Sequence, residues 1–413
     1  MEMKKTDIAV IGGGASGLVA AISIKKYSDF KVTILEKQAR VGKKILSTGN
    51  GRCNLSNNRI DGSCYNGNNK LLNYLSSDIP STEDFFTEMG LACKSDDQGR
   101  IYPHSMAASS VLDALRFTAS AKGVEILCDS NVSEIRKAKK GYDIIYGENI
   151  INADSVIIAA GGCATPSLGS DGSGYALAQK LGHSTTALYP ALAPIRTDIN
   201  NVKALKGLRT YAKATLLSNG KPLAEQSGEV QFADGALSGI CIFNISSLAA
   251  KYIKKSEIML DIAPDYTKKE ISYMLFTIKE TRASLPCEEL LTGLFHKRIG
   301  QAVLKNSSIA LSKTCGELSE KEIYRICDII KDWRFPVTAV SDWSLAQVTS
   351  GGIKSEEISD NLESLFAKGV FFCGEILDID GICGGFNLDF AWKSGYTAGK
   401  NSAEYIYSIK DKK

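Results

Sequence analysis

Between Asp7 and Glu36 the chain runs as a β-branched apolar segment (Asp7 to Ile11), the hexapeptide Gly12-Gly13-Gly14-Ala15-Ser16-Gly17, an alanine-rich helical pattern to about Tyr27, and a second apolar segment, Val32 to Leu35. A strand, a glycine turn, a helix and a second strand in that order make half of a doubly wound parallel sheet. Each glycine of Gly12-x-Gly14-x-x-Gly17 has its own physical reason. Gly12 permits the tight turn, Gly14 lets the backbone approach a pyrophosphate, and Gly17 lets helix and strand pack closely. The first helical residues, Ala15 and Ser16, carry N–H groups without intrahelical partners, which attract phosphate. Glu36, ending the second strand, is placed to accept from a ribose 2′-hydroxyl, and a carboxylate there disfavours the 2′-phosphate of NADP. Glycine turns also arise for conformational reasons alone, but here strand, helix and acid accompany the turn.

The 413 residues are 44% hydrophobic and 23% charged, the composition of a folded chain rather than a disordered one. Lys and Arg number 49 against 46 Asp and Glu, a net charge of +3 with the signs interspersed, so no field draws the chain to nucleic acid or an anionic membrane. The run Lys410 to Lys413 reads as a solvated tail. Eleven cysteines without a CxxC, no leader-like start and no apolar run of about 18 residues predict reduced thiols, a cytoplasmic location and no membrane span. None of His104, His183 and His296 lies at ligand spacing from another His or Cys, so no metal site is expected. His183, after Leu181-Gly182, reads as a helix-end cap.

The glycine-punctuated, basic stretch Gly42 to Asn54 is too polar for a core. Placed directly after the second strand, it reads as a ligand-facing loop. Val124 to Cys128, Val132 to Arg136, Tyr142 to Tyr146 and Ile150 to Asn152 alternate as a β-meander. Ser155 to Ala160, ended by Gly161-Gly162, is a fully apolar strand, and Gly169 to Gly174 opens a second helix, Ala176 to Leu181. From about Pro190 to Val340 short alternating strands precede amphipathic stretches at Lys268 to Glu280, Glu288 to Val303 and Ser319 to Ile330. Lys368 to Cys373 is again a buried strand, followed by Gly374-Glu375, Asp378, Gly384-Gly385-Phe386-Asn387 and a helix with a stripe of small residues.

Four motifs combine with GGGASG and Glu36: TGNGRCN (Thr48 to Asn54), AAGGCATPSLGSDGSGY (Ala159 to Tyr175), AQVTSGGI (Ala346 to Ile353) and GEILDIDGICGGFNLDFAWKSG (Gly374 to Gly395). Together they resemble a family of bacterial FAD-binding flavoproteins known as aminoacetone oxidase-like or NAD(P)/FAD-dependent oxidoreductases, which includes a bile-acid 3-oxo-Δ4,6 reductase. Ala159 to Gly174 also resembles fumarate reductase and succinate dehydrogenase flavoprotein subunits. The resemblance spans residues 6 to 405. It implies an α/β fold: a doubly wound FAD-binding domain of the glutathione reductase and succinate dehydrogenase type, formed by residues 1–190 and 345–413. Residues 191–344 would be an inserted substrate or cap domain, β part first and helical part second. It implies non-covalent FAD contacted by Gly12, Gly14, Ala15, Ser16, Gly17, Glu36, Lys37, Lys43, Gly49, Arg52, Cys53, Asn54, Val132, Ala160, Gly161, Gly162, Gly374, Glu375, Asp378, Gly385, Phe386, Asn387 and Leu388. Where the family usually carries Thr-His, this chain has Ala233-Asp234, so no histidine role carries over there.

A flavin carries electrons in pairs, and the helix opened by Gly385 would stabilise negative charge on its reduced pyrimidine edge. With one glycine fingerprint, NADH or NADPH would be a transient electron donor without a domain of its own. The expected reaction is hydride transfer to the conjugated C=C of a hydrophobic enone, a 3-oxo-Δ4 or Δ6 steroid or bile acid. An amine oxidase of aminoacetone type and an FAD-containing RNA-modifying protein are the alternatives, though no nucleic-acid partner is expected. Arg52, Tyr102, His104 and Tyr189 are candidates to supply a proton or polarise a carbonyl, with structural hydrogen bonding as the competing use of each. Cys53, beside Arg52, would have a lowered pKa. A small hydrophobic substrate would meet Leu192, Ile195, Phe232 and Phe243 of the inserted region, for which core packing is the competing use.

Overall fold

The computed structural model describes residues 4–67, 70–73 and 79–411, so Lys412 and Lys413 of the basic tail lie outside the described residues. The chain divides into two compact units, Met1–Tyr189 with Gln347–Lys413, and Pro190–Ala346.

In the first unit the elements that build the site are β1 (Lys4–Ile11), α1 (Ala15–Tyr27), β2 (Val32–Leu35), α2 (Ala108–Ala121), β3 (Glu125–Leu127), β4 (Val132–Lys137), β5 (Tyr142–Tyr146), β6 (Asn149–Ile158), α3 (Ser173–Lys180), β7 (Val370–Phe372) and α4 (Phe386–Lys410). One seven-stranded sheet runs β3-β2-β1-β6-β5-β4, with β7 also paired to β6. The pairs β1 with β2, β1 with β6, β2 with β3 and β6 with β7 are parallel, whereas β6 with β5 and β5 with β4 are antiparallel. Every residue of β2 and β7 is buried, as strands covered on both faces require.

Two features of this sheet differ from the reading by pattern. Val124 to Cys128 is not a meander strand: Glu125–Leu127 extends the parallel sheet beside β2, Thr33 opposite Glu125. Ile150 to Asn152 and Ser155 to Ile158 are one ten-residue strand. Its first half alternates in burial while paired to β5, and its second half is buried throughout while paired to β7, so one backbone carries two hydrophobic periods.

The last helix completes the first unit by packing on α1. A Cβ at Gly395 would lie 2.4 Å from the Ser16 carbonyl oxygen, and one at Gly399 2.4 Å from that of Ala20. The Ser23 hydroxyl donates to the Tyr396 carbonyl at 2.8 Å. Small residues on both helices thus let the backbones touch.

The second unit has a seven-stranded antiparallel sheet, ordered Trp333–Pro336, Ser256–Asp261, Arg209–Ser218, Lys221–Ala233, Ala236–Ser238, Ile195–Arg196 and Ala339–Val340. Capping boxes start its helices Lys268–Thr281, at Thr267 with Glu270, and Glu320–Lys331, at Ser319 with Glu322. The expected helix from Glu288 to Val303 is instead a turn, Cys287–Glu289, followed by a helix only from Lys297 to Asn306 and capped by His296. Ile195 and Phe232 belong to this unit's core, Leu192 is buried and Phe243 half-buried, so the first three serve packing rather than an open pocket.

Candidate active site

Backbone geometry at the end of β1 reserves a space. Gly12 has φ +102°, and a Cβ there would sit 2.5 Å from the carbonyl oxygen of Ala159, the residue after β6; at Gly17 it would sit 1.9 Å from the Gly12 carbonyl. Both positions exclude any side chain, which fixes the turn against the strand and the helix against the turn. At Gly14 a Cβ would meet nothing within 4 Å. The start of α1 is therefore bare, and Gly14, its N-cap, makes no side-chain cap. Open space in front of uncapped N–H groups fits a pyrophosphate.

Glu36, buried at the end of β2, closes this turn from below. Its Oε2 accepts from the Gly13 N–H at 2.7 Å, and Oε1 accepts from the Gln38 N–H at 2.8 Å. Each carboxylate oxygen keeps a lone pair for a ribose. The Ser130 N–H donates to the Glu36 carbonyl at 2.8 Å, which brings buried Val132 at the start of β4 to the same corner. Lys37 pairs with Asp171 at 2.5 Å, and Lys43 donates to Gln38 at 2.8 Å.

The stretch after β2 has more order than a loop: Lys43–Ser47 is helical and Thr48–Gly51 a tight turn. Gly49 and Asn50 adopt left-handed backbone, and the Arg52 N–H donates to the Gly49 carbonyl at 3.2 Å. Cys53 overturns its expectation. It is fully buried, and burial pushes its thiol up to about 12, so the neighbouring guanidinium does not activate it. Asn54, its amide donating to the carbonyls of Ser56 and Ile101, accepts from the Gly385 N–H at 3.0 Å and so ties this stretch to the start of α4.

Of the candidate proton donors, Arg52 and Tyr102 come together: a Cβ at Gly49 would lie 3.7 Å from the Tyr102 ring, on the turn that holds Arg52. Among the described residues, neither the Arg52 guanidinium nor the Tyr102 hydroxyl makes a hydrogen bond, and Arg52 is exposed. His104 is exposed just beyond the strand Arg100–Pro103, and Tyr189 is half-buried at the end of the first unit's longer segment; among the described residues neither makes a side-chain hydrogen bond or ion pair to this turn. His183 is no cap. Its buried ring bonds Glu357 through Nδ1 at 3.2 Å and Ser364 through Nε2 at 2.7 Å, and burial lowers its pKa.

A third corner is built by residues that spacing does not reveal. Lys44, rather than Lys43, pairs with Glu375 at 2.8 Å and donates to the Ala164 carbonyl at 3.1 Å. The other Glu375 oxygen accepts from the Thr349 N–H at 2.9 Å, and the Thr349 hydroxyl accepts from the N–H groups of Cys163 at 2.7 Å and Ala164 at 3.2 Å. A Cβ at Gly162 would strike that hydroxyl at 2.3 Å, so the segment Ala160-Gly161-Gly162 is clamped between Lys44, Thr349 and Glu375. Gly374 lies against Ser16 of α1, whose hydroxyl donates to the Cys373 carbonyl at 3.4 Å. The α4 start, Gly385, carries no side-chain cap. There Phe386 is buried against Tyr65, so its side chain is core; Asn387 clamps Gly381, accepting from its N–H at 2.8 Å and donating to its carbonyl at 2.7 Å. Leu388 is half-buried on the same turn and Asp378 half-buried beside the clamped segment.

A depression of about 640 Å³ on the same unit, lined by Glu134, Arg136, Tyr142, Lys180, Phe366 and Lys368 among others, shares no residue with this cradle. All eleven cysteines are free, no group of three or more His, Cys, Asp or Glu among the described residues could hold a metal, and no described helix is long and apolar enough to cross a membrane.

The chain is 38% identical over 405 residues to the 3-dehydro-bile acid delta(4,6)-reductase of Clostridium scindens, covering 96% of this chain and 99% of that protein. It is 26% identical over 404 residues to the ribosomal RNA dihydrouridine synthase of Haemophilus influenzae, covering 94% and 96%. Among solved structures, an open flavocytochrome c3 fumarate reductase aligns with a TM-score of 0.52 at 15% identity, over 97% of this chain and 78% of that one, and shares the fold. The fold is the FAD-binding Rossmann type, and with residues 6–401 matching the HI0933-like protein Rossmann domain, the chain belongs to that family.

Proposed function

We propose that this protein is an FAD-dependent oxidoreductase that saturates a C=C bond conjugated to a carbonyl, with a hydrophobic 3-oxo-Δ4 or Δ6 steroid of bile-acid type as substrate. The observation that carries this reading is the 38% identity to the bile-acid delta(4,6)-reductase over almost the full length of both chains. The dihydrouridine synthases support the same reaction class, because dihydrouridine differs from uridine by saturation of a C=C conjugated to a ring carbonyl.

The cradle suits FAD. Gly14 and the bare start of α1 would take the pyrophosphate, Glu36 the adenosine ribose, and the uncapped start of α4 the electron-rich edge of the ring. When bound, FAD supplies the hydride that reduces the C=C. This chain's own residues do the rest. Lys44, Thr349 and Glu375 hold the Gly161-Gly162 segment in place. The Arg52 guanidinium, without a hydrogen bond among the described residues, polarises the substrate carbonyl or pairs with its acid group, and Tyr102, whose ring lies against the Gly49 turn that carries Arg52, donates the proton that completes saturation. NADH or NADPH is the proposed source of electrons. A cytoplasmic location accords with eleven free thiols.

A second reading, reduction of uridine in RNA, rests on the two ribosomal RNA dihydrouridine synthases, 26% and 23% identical over nearly the whole chain. The surface favours it less. In the basic run Lys203 to Lys213, Lys206, Arg209 and Lys213 are paired with Asp234, Glu229 and Glu225, leaving little free charge for phosphate.

The test is anaerobic reduction of the purified yellow holoprotein by NADH or NADPH, then rapid mixing with a 3-oxo-Δ4,6 bile acid, a uridine-containing ribosomal RNA fragment, or air with aminoacetone. Fastest flavin reoxidation by the bile acid, with a product two hydrogens heavier, is the expected result. Preferential reoxidation by RNA would promote the second reading. Aminoacetone turnover with air and no C=C reduction would refute both.

A further inference from the structure

Among the described residues two carboxyls near the start of α4 keep a buried oxygen without a hydrogen bond, Asp389 and Asp380, and of these Asp389 is ion-paired with Lys393 at 2.9 Å whereas Asp380 has no ion pair. It lies in the strand Ile379–Gly381, paired antiparallel with Tyr65–Gly67, and is 2% exposed. Its Oδ2 accepts from the Asn66 amide at 3.1 Å; its buried Oδ1 has no hydrogen-bond partner among the described residues. The Ser350 hydroxyl is near enough to favour the charged form, but Asp378 and Glu375 on the same segment oppose it and burial opposes it most, pushing the carboxyl up to about 6. Among the described residues no cation offsets this, since Lys44 is paired with Glu375, and Asp378 is itself pushed upward by burial with Glu356 adding to the shift. Tyr65, across the strand pair, donates its hydroxyl to the Phe386 carbonyl rather than to Asp380. The segment is rigid, because Asn387 in the first turn of α4 grips both backbone groups of Gly381, the next residue. A buried carboxyl with an unmade bond and acidic neighbours resists ionisation, and further negative charge nearby makes it hold a proton more tightly.

Resting on the FAD reading above, we propose that Asp380 is a proton acceptor coupled to reduction of the bound cofactor. The electrons come from an external two-electron donor such as a reduced nicotinamide. The proton comes from solvent and forms an O–H bond on the carboxylate of Asp380, no protein bond breaks, and reoxidation returns the proton to solvent. The carboxyl would thus offset part of the charge that reduction brings in.

The experiment is the midpoint potential of the FAD in holoprotein, followed by absorbance against reference dyes from about pH 5 to about pH 9, a window that brackets an ordinary and a raised carboxyl. Between the pH at which Asp380 ionises in the oxidised protein and the higher pH at which it ionises in the reduced protein, the wild type should take up as much as one proton more per electron pair than Asp380→Asn, whose line should be correspondingly shallower at unchanged FAD stoichiometry. Asn66→Ala removes the donor that favours the carboxylate and should move the break to higher pH; Asn66 is exposed, so this variant decides the matter even if Asp380→Asn does not fold. Equal slopes in wild type and Asp380→Asn, or an unmoved break in Asn66→Ala, would overturn the proposal while leaving the FAD reading intact. A wild type that binds no FAD would instead sink that reading.

Discussion

Replacing Glu36 with alanine removes two hydrogen bonds before any ligand is considered. Its two oxygens hold the Gly13 and Gln38 N–H groups at 2.7 and 2.8 Å, and the residue is 8% exposed. A hydrogen bond to a charged partner contributes about 1.5 to 3 kcal/mol. Gly13 is buried and would lose that in full, whereas Gln38 is half-buried and recovers part of its bond from water. The cofactor-free protein should therefore lose about 2.5 to 4 kcal/mol of local stability. Glu36→Gln, which keeps one acceptor oxygen, should lose about half as much. Amide hydrogen exchange of peptides from β1, α1 and β2 reads this unit separately from the second, and FAD titration of the same variants reads the ligand contribution. We expect faster exchange in the apoprotein and an FAD affinity lower by at least about tenfold, the equivalent of 1.4 kcal/mol. Unchanged exchange with weakened FAD would refute the claim that Glu36 organises the turn. Unchanged values of both would show that the first glycine motif is not where a ribose is held.

Other outcomes follow from the same contacts. Gly399→Ala should lower stability by about 1 to 3 kcal/mol through overpacking of α4 against Ala20, checked by thermal unfolding; an unaltered Tm would mean the helices separate at no cost. Lys44→Met should weaken FAD binding by about tenfold, because Glu375 loses its cation and the Gly162 clamp loosens, and Lys44→Arg should restore most of it. Burial holds His183 below its ordinary value of 6.5, so the unfolded chain binds the extra proton first; stability should fall as pH drops below 6.5, and His183→Gln should flatten that decline in urea titrations. Cys53 should resist thiol reagents in the native protein at neutral pH and react only on unfolding, since its thiol is buried and pushed up to about 12; rapid native modification would contradict this.

Local order was legible along the chain because period and turn chemistry are written between near neighbours. The first strand, the glycine turn, α1 through Tyr27 and β2 from Val32 to Leu35 all follow from residues within a few positions of one another. The family resemblance rested on the same short motifs. Folding settled whatever depends on a partner distant in sequence. Strand β6 looked like two strands because its neighbours change from β5 to β7 along its length, and Glu125–Leu127 joined the parallel sheet because β2 offered an open edge. Cys53 follows the same rule: adjacency to Arg52 in sequence promised a reactive thiol, and a fully buried position removed it. Thr349 sits inside the AQVTSGGI motif and Lys44 inside the basic Gly42 to Asn54 stretch, but neither spacing assigns them a task; they matter because Glu375, 331 residues from Lys44, lies 2.8 Å from it and accepts from the Thr349 N–H. The unbonded oxygen of Asp380 is equally invisible to spacing, since a missing hydrogen bond exists only once every possible donor has been brought near or kept away.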